Sequence, residues 1–344
     1  RDYDKAERLF KSALRADPQH VSTLAFYGLL VQEVRKDYPR AQALYEVAFI
    51  LQPSHTETLS HYGTFLGKVM HDYQGARKMY DRVLELDPNH ANTLCNYGLT
   101  LQAEGKDREG ALEHFDRALE VDPQHAPSLG FKGLLLHTSF GNVSEAEKCY
   151  LKSLHLTPND PHVLGNYAHL VHECKHDDAY SEELFQRALS MDPTHIGSLC
   201  NYAQLKDDHK DFEAAEALYQ RAADADPRHT AALCDYALLL AGRLKKFDKA
   251  LQLLEQAKAY DTTQSNDVAN TIMQVKQLKA AEQAASAKLE IVNARKELEK
   301  RRLTKLKEDA QKGRGAKGRS SSESEASRTA EQMARLLIAE EEGQ

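Results

Sequence analysis

Three sets of residues in this 344-residue chain could do chemistry by their type and spacing. The first is His172-Glu173-Cys174-Lys175-His176, a literal HExxH. On an unbroken helix, two histidines four apart share a face and can hold zinc while the glutamate acts as a base. The second is a histidine that recurs at His20, His55, His90, His125, His195 and His229. The third is a row of polar residues, each just before a tyrosine: His61, Asn96, Asn166, Asn201 and Asp235. A side-chain amide both donates and accepts hydrogen bonds, so a row of amides can satisfy the backbone of an extended peptide whatever its sequence. No phosphate-binding glycine loop and no nucleophile elbow accompanies these sets, and the chain reads as a non-enzyme.

What positions these residues is a repeat. Pro18, Pro53, Pro88, Pro123, Pro158, Pro193 and Pro227 follow one another at steps of 35 residues, the last step being 34, and Asp261-Thr262 continues the register without its proline. Internal periods of this length are the signature of solenoids. After each proline comes a leucine: Leu24, Leu59, Leu94, Leu129, Leu164, Leu199 and Leu233. Three residues on stands Tyr27, Tyr62, Tyr97, Lys132, Tyr167, Tyr202 or Tyr236, followed at once by glycine or alanine (Gly28, Gly63, Gly98, Gly133, Ala168, Ala203, Ala237). This spacing puts the apolar residues on one helical face. The small residue admits a second helix at close range. That second helix carries a small–aromatic–small pattern, as in Ala41, Tyr45 and Ala48, and proline then stops it.

Each unit is therefore a helix–turn–helix that buries its apolar faces only by stacking on its neighbours. The pattern resembles the tetratricopeptide repeat family over residues 1–262. The resemblance implies an all-α, right-handed α-solenoid: a half repeat at 1–18, then units at 20–53, 55–88, 90–123, 125–158, 160–193, 195–227 and 229–262. Two features depart from the family pattern: leucine where the family often has tryptophan, and an extra residue in most turns between helix A and helix B.

The register decides how the candidate residues read. His172–His176 aligns with Gln32–Lys36, at the end of a helix A and into the turn, so the turn separates the two histidines and no metal site is expected. Copies of the recurrent histidine lie one helix pair apart, of order ~10 Å, whereas Zn–N bonds are about 2 Å. They cannot share an ion, and are read as residues that accept the free N–H groups at the start of helix A. The Asn-Tyr-Gly/Ala register resembles the asparagine ladder in the repeats of O-linked N-acetylglucosamine transferase. Asn96, Asn166 and Asn201 match it, Asp235 is a near miss, and Phe131 interrupts it. Gln102, His137 and His169 lie a turn further along the same face. A clamp for C-terminal carboxylates would need Lys and Arg on this face, but the neighbouring column is Ala25, Ser60, Cys95, Gly130, Gly165, Cys200 and Cys234.

Net charge is −7 and 28% of residues are charged, with no apolar run long enough to span a bilayer. Five cysteines without a CxxC argue for free thiols in a cytoplasmic setting. Residues 263–311 read as a capping helix, led by Val268, Ile272 and Val275, that runs on as a basic helix without a regular heptad. Residues 288–319 carry 12 Lys/Arg against 5 Asp/Glu, which suits an acidic partner better than nucleic acid, since no aromatic residue accompanies the charges. A Gly/Ser linker at 312–327 and a short amphipathic helix with an acidic end at 328–344 complete the chain. The expected function is a non-catalytic scaffold that binds an extended segment of a protein partner in its concave groove through Asn96, Asn166, Asn201, Asp235, His61, Gln102, His137 and His169, with no cofactor. The alternative expectation, motivated by the leading half repeat, is the targeting arm of a larger enzyme.

Overall fold

A computed structural model describes residues 2–260 and 266–314, with side chains as far as 309. The expected linker at 312–327 and terminal helix at 328–344 thus lie outside the described residues, apart from the last backbone of the long helix. Sixteen α-helices and no strand occur among the described residues. Helix α1 (Tyr3–Ala16) precedes seven pairs, each a helix A followed by a helix B. The pairs are α2 (Val21–Leu30) with α3 (Tyr38–Leu51), α4 (Thr56–Lys68) with α5 (Tyr73–Leu86), α6 (Ala91–Glu104) with α7 (Arg108–Val121), and α8 (Ala126–Thr138) with α9 (Val143–Leu156). Then come α10 (Pro161–Leu170) with α11 (Asp178–Met191), α12 (Ile196–Asp208) with α13 (Phe212–Ala225), and α14 (Thr230–Gly242) with α15 (Phe247–Tyr260); α16 (Asp267–Arg314) follows. The chain divides into two units, Arg1–Val275 and the stretch from Lys276.

Local chemistry sets the ends of these helices. Six A helices start at a histidine whose Nδ1 accepts a backbone N–H three residues on: His20 from Thr23, His55 from Thr58, His90 from Thr93, His125 from Ser128, His195 from Ser198 and His229 from Ala232. The recurrent histidine is therefore a helix cap, as its register suggests. An Nδ1 that accepts leaves the ring proton on Nε2. From there His125 donates to Asn92 Oδ1 (2.9 Å) and His195 to His162 Nδ1 (2.8 Å), so that the cap also ties one helix A to the one before it. Asp160 takes the same place at α10. The Asp of each Asp-Pro pair ends helix B, and its carboxylate accepts the N–H two residues on, as Asp87 does from Asn89 and Asp122 from Gln124.

The turn from A to B holds one residue in the left-handed region: Lys36, His71, Gly105, Gly141, His176, Lys210 or Lys245. In five of these turns the N–H closing the turn reaches back six residues, for example Asp72 to the Leu66 carbonyl and Asn142 to Leu136. This wide closure accommodates the extra residue. It extends to full π-helical turns at Val31–Arg35 and Val171–Lys175. The single 34-residue step has its deletion here, where Asp211 reaches back only five residues, to Lys206.

In Arg1–Val275 every helix A packs on its own helix B and on the next helix A. The B helices make no comparable contact with one another. A continuous A layer with splayed B helices makes the A side the inner, concave face. All seven leucines of the repeat column are buried, from Leu24 at 5% exposure to Leu59, Leu164, Leu199 and Leu233 at 0%. The aromatic residues of helix B, Tyr45, Tyr80, Phe115 and Tyr150, seat against the glycine of their own helix A. A Cβ on Gly63 would lie 2.7 Å from the Tyr80 ring, and one on Gly98 would lie 2.8 Å from Phe115. Val268 and Val275 of α16 are buried too, and both fall within the Arg1–Val275 unit. From Lys276 the helix is mostly exposed, including Leu289, Val292, Leu298 and Leu306.

Candidate functional site

Successive A helices carry the candidate residues, and the Tyr column anchors A helices to the helix B before them. The Tyr27, Tyr167, Tyr202 and Tyr236 hydroxyls each donate to a glutamate 20 residues earlier, on the preceding helix B: Glu7, Glu147, Glu182 and Glu216. A basic residue clamps the same carboxylate in each case: Arg35, Lys175, Lys206 and Lys246. Hydrogen bonds from Lys11 first, and from Arg35, outweigh burial and hold the Glu7 carboxyl at about 2. These clips fasten each repeat to the one before it. They were not expected from the sequence, although a glutamate placed 20 residues before the tyrosine in four copies is a visible signal.

The expected ladder residues are those just before the tyrosines of this column. Asn96, Asn166 and Asn201 are half-buried at the same register position of α6, α10 and α12. Asn96 donates through Nδ2 to Thr64 Oγ1 of α4 at 3.3 Å. The Asn166 and Asn201 amides make no side-chain hydrogen bond among the described residues. His61 stacks edge-on against Phe26, ring centres 5.6 Å apart, and burial pushes its pKa down. Gln102 has a shielded Oε1 without a partner. Asp235 is open to solvent, yet the crowding of its surroundings raises its carboxyl pKa against the weaker opposing pull of His229. Accessibility combined with desolvation is what a concave surface imposes.

His137 and His169 sit on this face as well, but they belong to a tighter group. His137, on α8, is buried, and its Nε2 lies 3.2 Å from Glu173 Oε2 and 3.8 Å from Cys174 Sγ. His169 Nδ1 lies 3.6 Å from the same Glu173 oxygen. The HExxH segment itself does not form a two-histidine face. His176 is left-handed at φ 56°, and both His172 nitrogens are engaged, with Asp178 at 2.7 Å and Asp208 at 3.1 Å. The motif's Glu173 and Cys174 instead meet histidines that the motif does not contain, one of them on the neighbouring repeat.

Comparison with known proteins fits this geometry. Residues 98–161 and 202–264 match the family model described as tetratricopeptide repeat. No curated protein sequence matches the chain. Among solved structures, the chain superposes on one from the APC/C hetero-tetramer Cut9-Hcn1 with a TM-score of 0.62 at 15% identity, covering 79% of this chain and 52% of that one. It superposes on yeast Tom70 with a TM-score of 0.55 at 19% identity, covering 82% and 59%. The chain thus spans little more than half the length of either. At these identities the likeness is one of fold. The helix pairs stack as an α-solenoid, with the match to tetratricopeptide repeats lying within residues 98–161 and 202–264, a fold typical of protein-interaction scaffolds. No helix among the described residues is long and apolar enough to cross a membrane.

Proposed function

We propose that this tetratricopeptide-repeat array binds an extended segment of a partner protein along the inner face of its A helices. Asn166 and Asn201 would pair with the peptide backbone, Asn96 would join after releasing Thr64, and Asp235 would extend the row. The observation that carries the reading is the state of the Asn166 and Asn201 amides: half-buried, one repeat apart, and without an intramolecular hydrogen bond. Neither amide is among the shielded side-chain atoms, so both reach solvent, and a peptide N–H or C=O would replace water on groups already held in place by the fold. His61 and Gln102 flank the row and would read side chains. The unpartnered Gln102 Oε1 is an acceptor waiting for a donor.

The test is selection from a display library of random linear peptides on the intact chain, followed by affinity measurement of the selected peptides. Replacing Asn96, Asn166 and Asn201 together by alanine should weaken them by about tenfold or more, since lost hydrogen bonds of about 0.5–1.5 kcal/mol each add up across the row. The helical signal should be unchanged. Equal affinity for both proteins would refute the groove as the binding site.

A further inference from the structure

We propose that His137, Glu173 and Cys174 form a zinc-binding site, with His169 beside the fourth coordination position. The three ligand atoms lie within 4.8 Å of one another. In a tetrahedral zinc site with bonds of about 2.0–2.3 Å, neighbouring ligand atoms stand about 3.3–3.8 Å apart. Two of the three separations, 3.2 Å (His137 to Glu173) and 3.8 Å (His137 to Cys174), stand at coordination distance, the third is within 4.8 Å, and His169 lies 3.6 Å from the Glu173 oxygen. The donors also match the ion's chemistry. Imidazole nitrogen and thiolate sulfur select zinc over magnesium or calcium, and one thiolate with one carboxylate neutralises a divalent charge.

The local backbone supplies a second, independent reason. At the matching register His137 aligns with His172, and a regular repeat would oppose those two. The π-helical turn at Val171–Lys175 changes which side chains follow His169 across the face. It brings Glu173 and Cys174 toward α8, while His172 is tied to Asp178 and Asp208. Such turns inside α-helices recur at functional sites. The other one, Val31–Arg35, presents Gln32 to the Tyr45 hydroxyl and carries no cysteine or histidine. The site has a buried anchor and an open mouth: the His137 side chain is 5% exposed and Glu173 58% exposed. Entry of the ion replaces the Cys174 thiol proton, so one proton leaves the thiol for each ion bound. The inference does not rest on the peptide reading, because metal loading is measured with no peptide present.

Cobalt(II) titration of the intact, reduced chain tests it. The expected result is one tetrahedral cobalt per chain, seen as intense visible bands with a thiolate-to-metal band in the near ultraviolet, and displaced by zinc. Cys174→Ser, at an exposed position, should remove the thiolate band without altering the circular dichroism. His137→Gln and Glu173→Gln should each weaken binding by about tenfold or more. His172→Gln and Cys200→Ser should leave the spectrum intact. Octahedral cobalt only, or a thiolate band that survives Cys174→Ser, would overturn the assignment.

Discussion

Acid should loosen this array through its histidine caps. Nδ1 of His125 accepts the N–H of Ser128, and Nδ1 of His195 accepts that of Ser198. Protonation removes the acceptor and places a positive charge at the positive end of a helix. A cap is worth about 1 kcal/mol, and an adverse charge there costs about 0.3–1 kcal/mol more. Burial lowers the pKa of both histidines. Asp122 opposes this at His125; at His195, His162 adds to it and Asp192 and Asp160 oppose it. A folded pKa below the unfolded value of about 6.5 means that the unfolded chain binds more protons between the two values. The stabilisation is therefore fully present above about pH 6.5 and is lost as pH falls through the folded pKa. For two caps this amounts to about 2.6–4 kcal/mol, lost at the starts of α8 and α12. The repeat itself supplies the control, because Asp160 caps α10 at the same register in place of a histidine. Urea unfolding followed by circular dichroism, at about pH 7.5 and about pH 5.5, should show a larger loss for the natural chain than for His125→Asp/His195→Asp. Histidines away from the two replaced caps are common to both proteins and cancel in that difference. Equal pH dependence in the two proteins would refute the cap argument.

The packing makes further predictions. Leu94, 1% exposed, fills the A–B interface of its repeat, and Leu94→Ala should cost about 2–5 kcal/mol in a urea melt; hydrogen exchange should place most of the loss in α6, α7 and their neighbours, because the array is quasi-linear. Gly98→Ala puts a methyl 2.8 Å from Phe115 and 3.0 Å from the Ala111 carbonyl, and should cost about 1–3 kcal/mol by the same melt. Lys210 pays for a left-handed backbone at φ 62°, so Lys210→Gly should leave thermal stability equal or raise it by up to about 1 kcal/mol. A measured loss there would mean that the lysine side chain holds the turn.

Much of this was readable in the sequence because the repeat samples each environment seven times. A leucine found at 24, 59, 94, 129, 164, 199 and 233 can only be a shared core position, and all seven are buried. The recurrent histidine was legible as a helix-start residue for the same reason. Features that occur once were not. The meeting of His137 with Glu173 and Cys174 joins residues 36 and 37 apart, off the repeat register, and depends on a π-helical turn that no residue type announces. The HExxH spacing groups Glu173 and Cys174 with His172 and His176, which the turn takes elsewhere. The hydrogen bond from Asn96 to Thr64 was hidden too: a ladder position identical in sequence to Asn166 is partly satisfied by a threonine on the preceding helix A.

The central claim, that the A-helix amides receive a peptide, is tested most directly by the side-chain NH2 signals of a chain labelled with 15N-asparagine. Adding a selected linear peptide should shift the Asn166 and Asn201 signals strongly. Asn96, which already donates to Thr64, should follow as that bond is exchanged, while Asn89 and Asn159 in the inter-repeat turns stay in place. A peptide that binds and moves none of the three ladder signals would contradict the account.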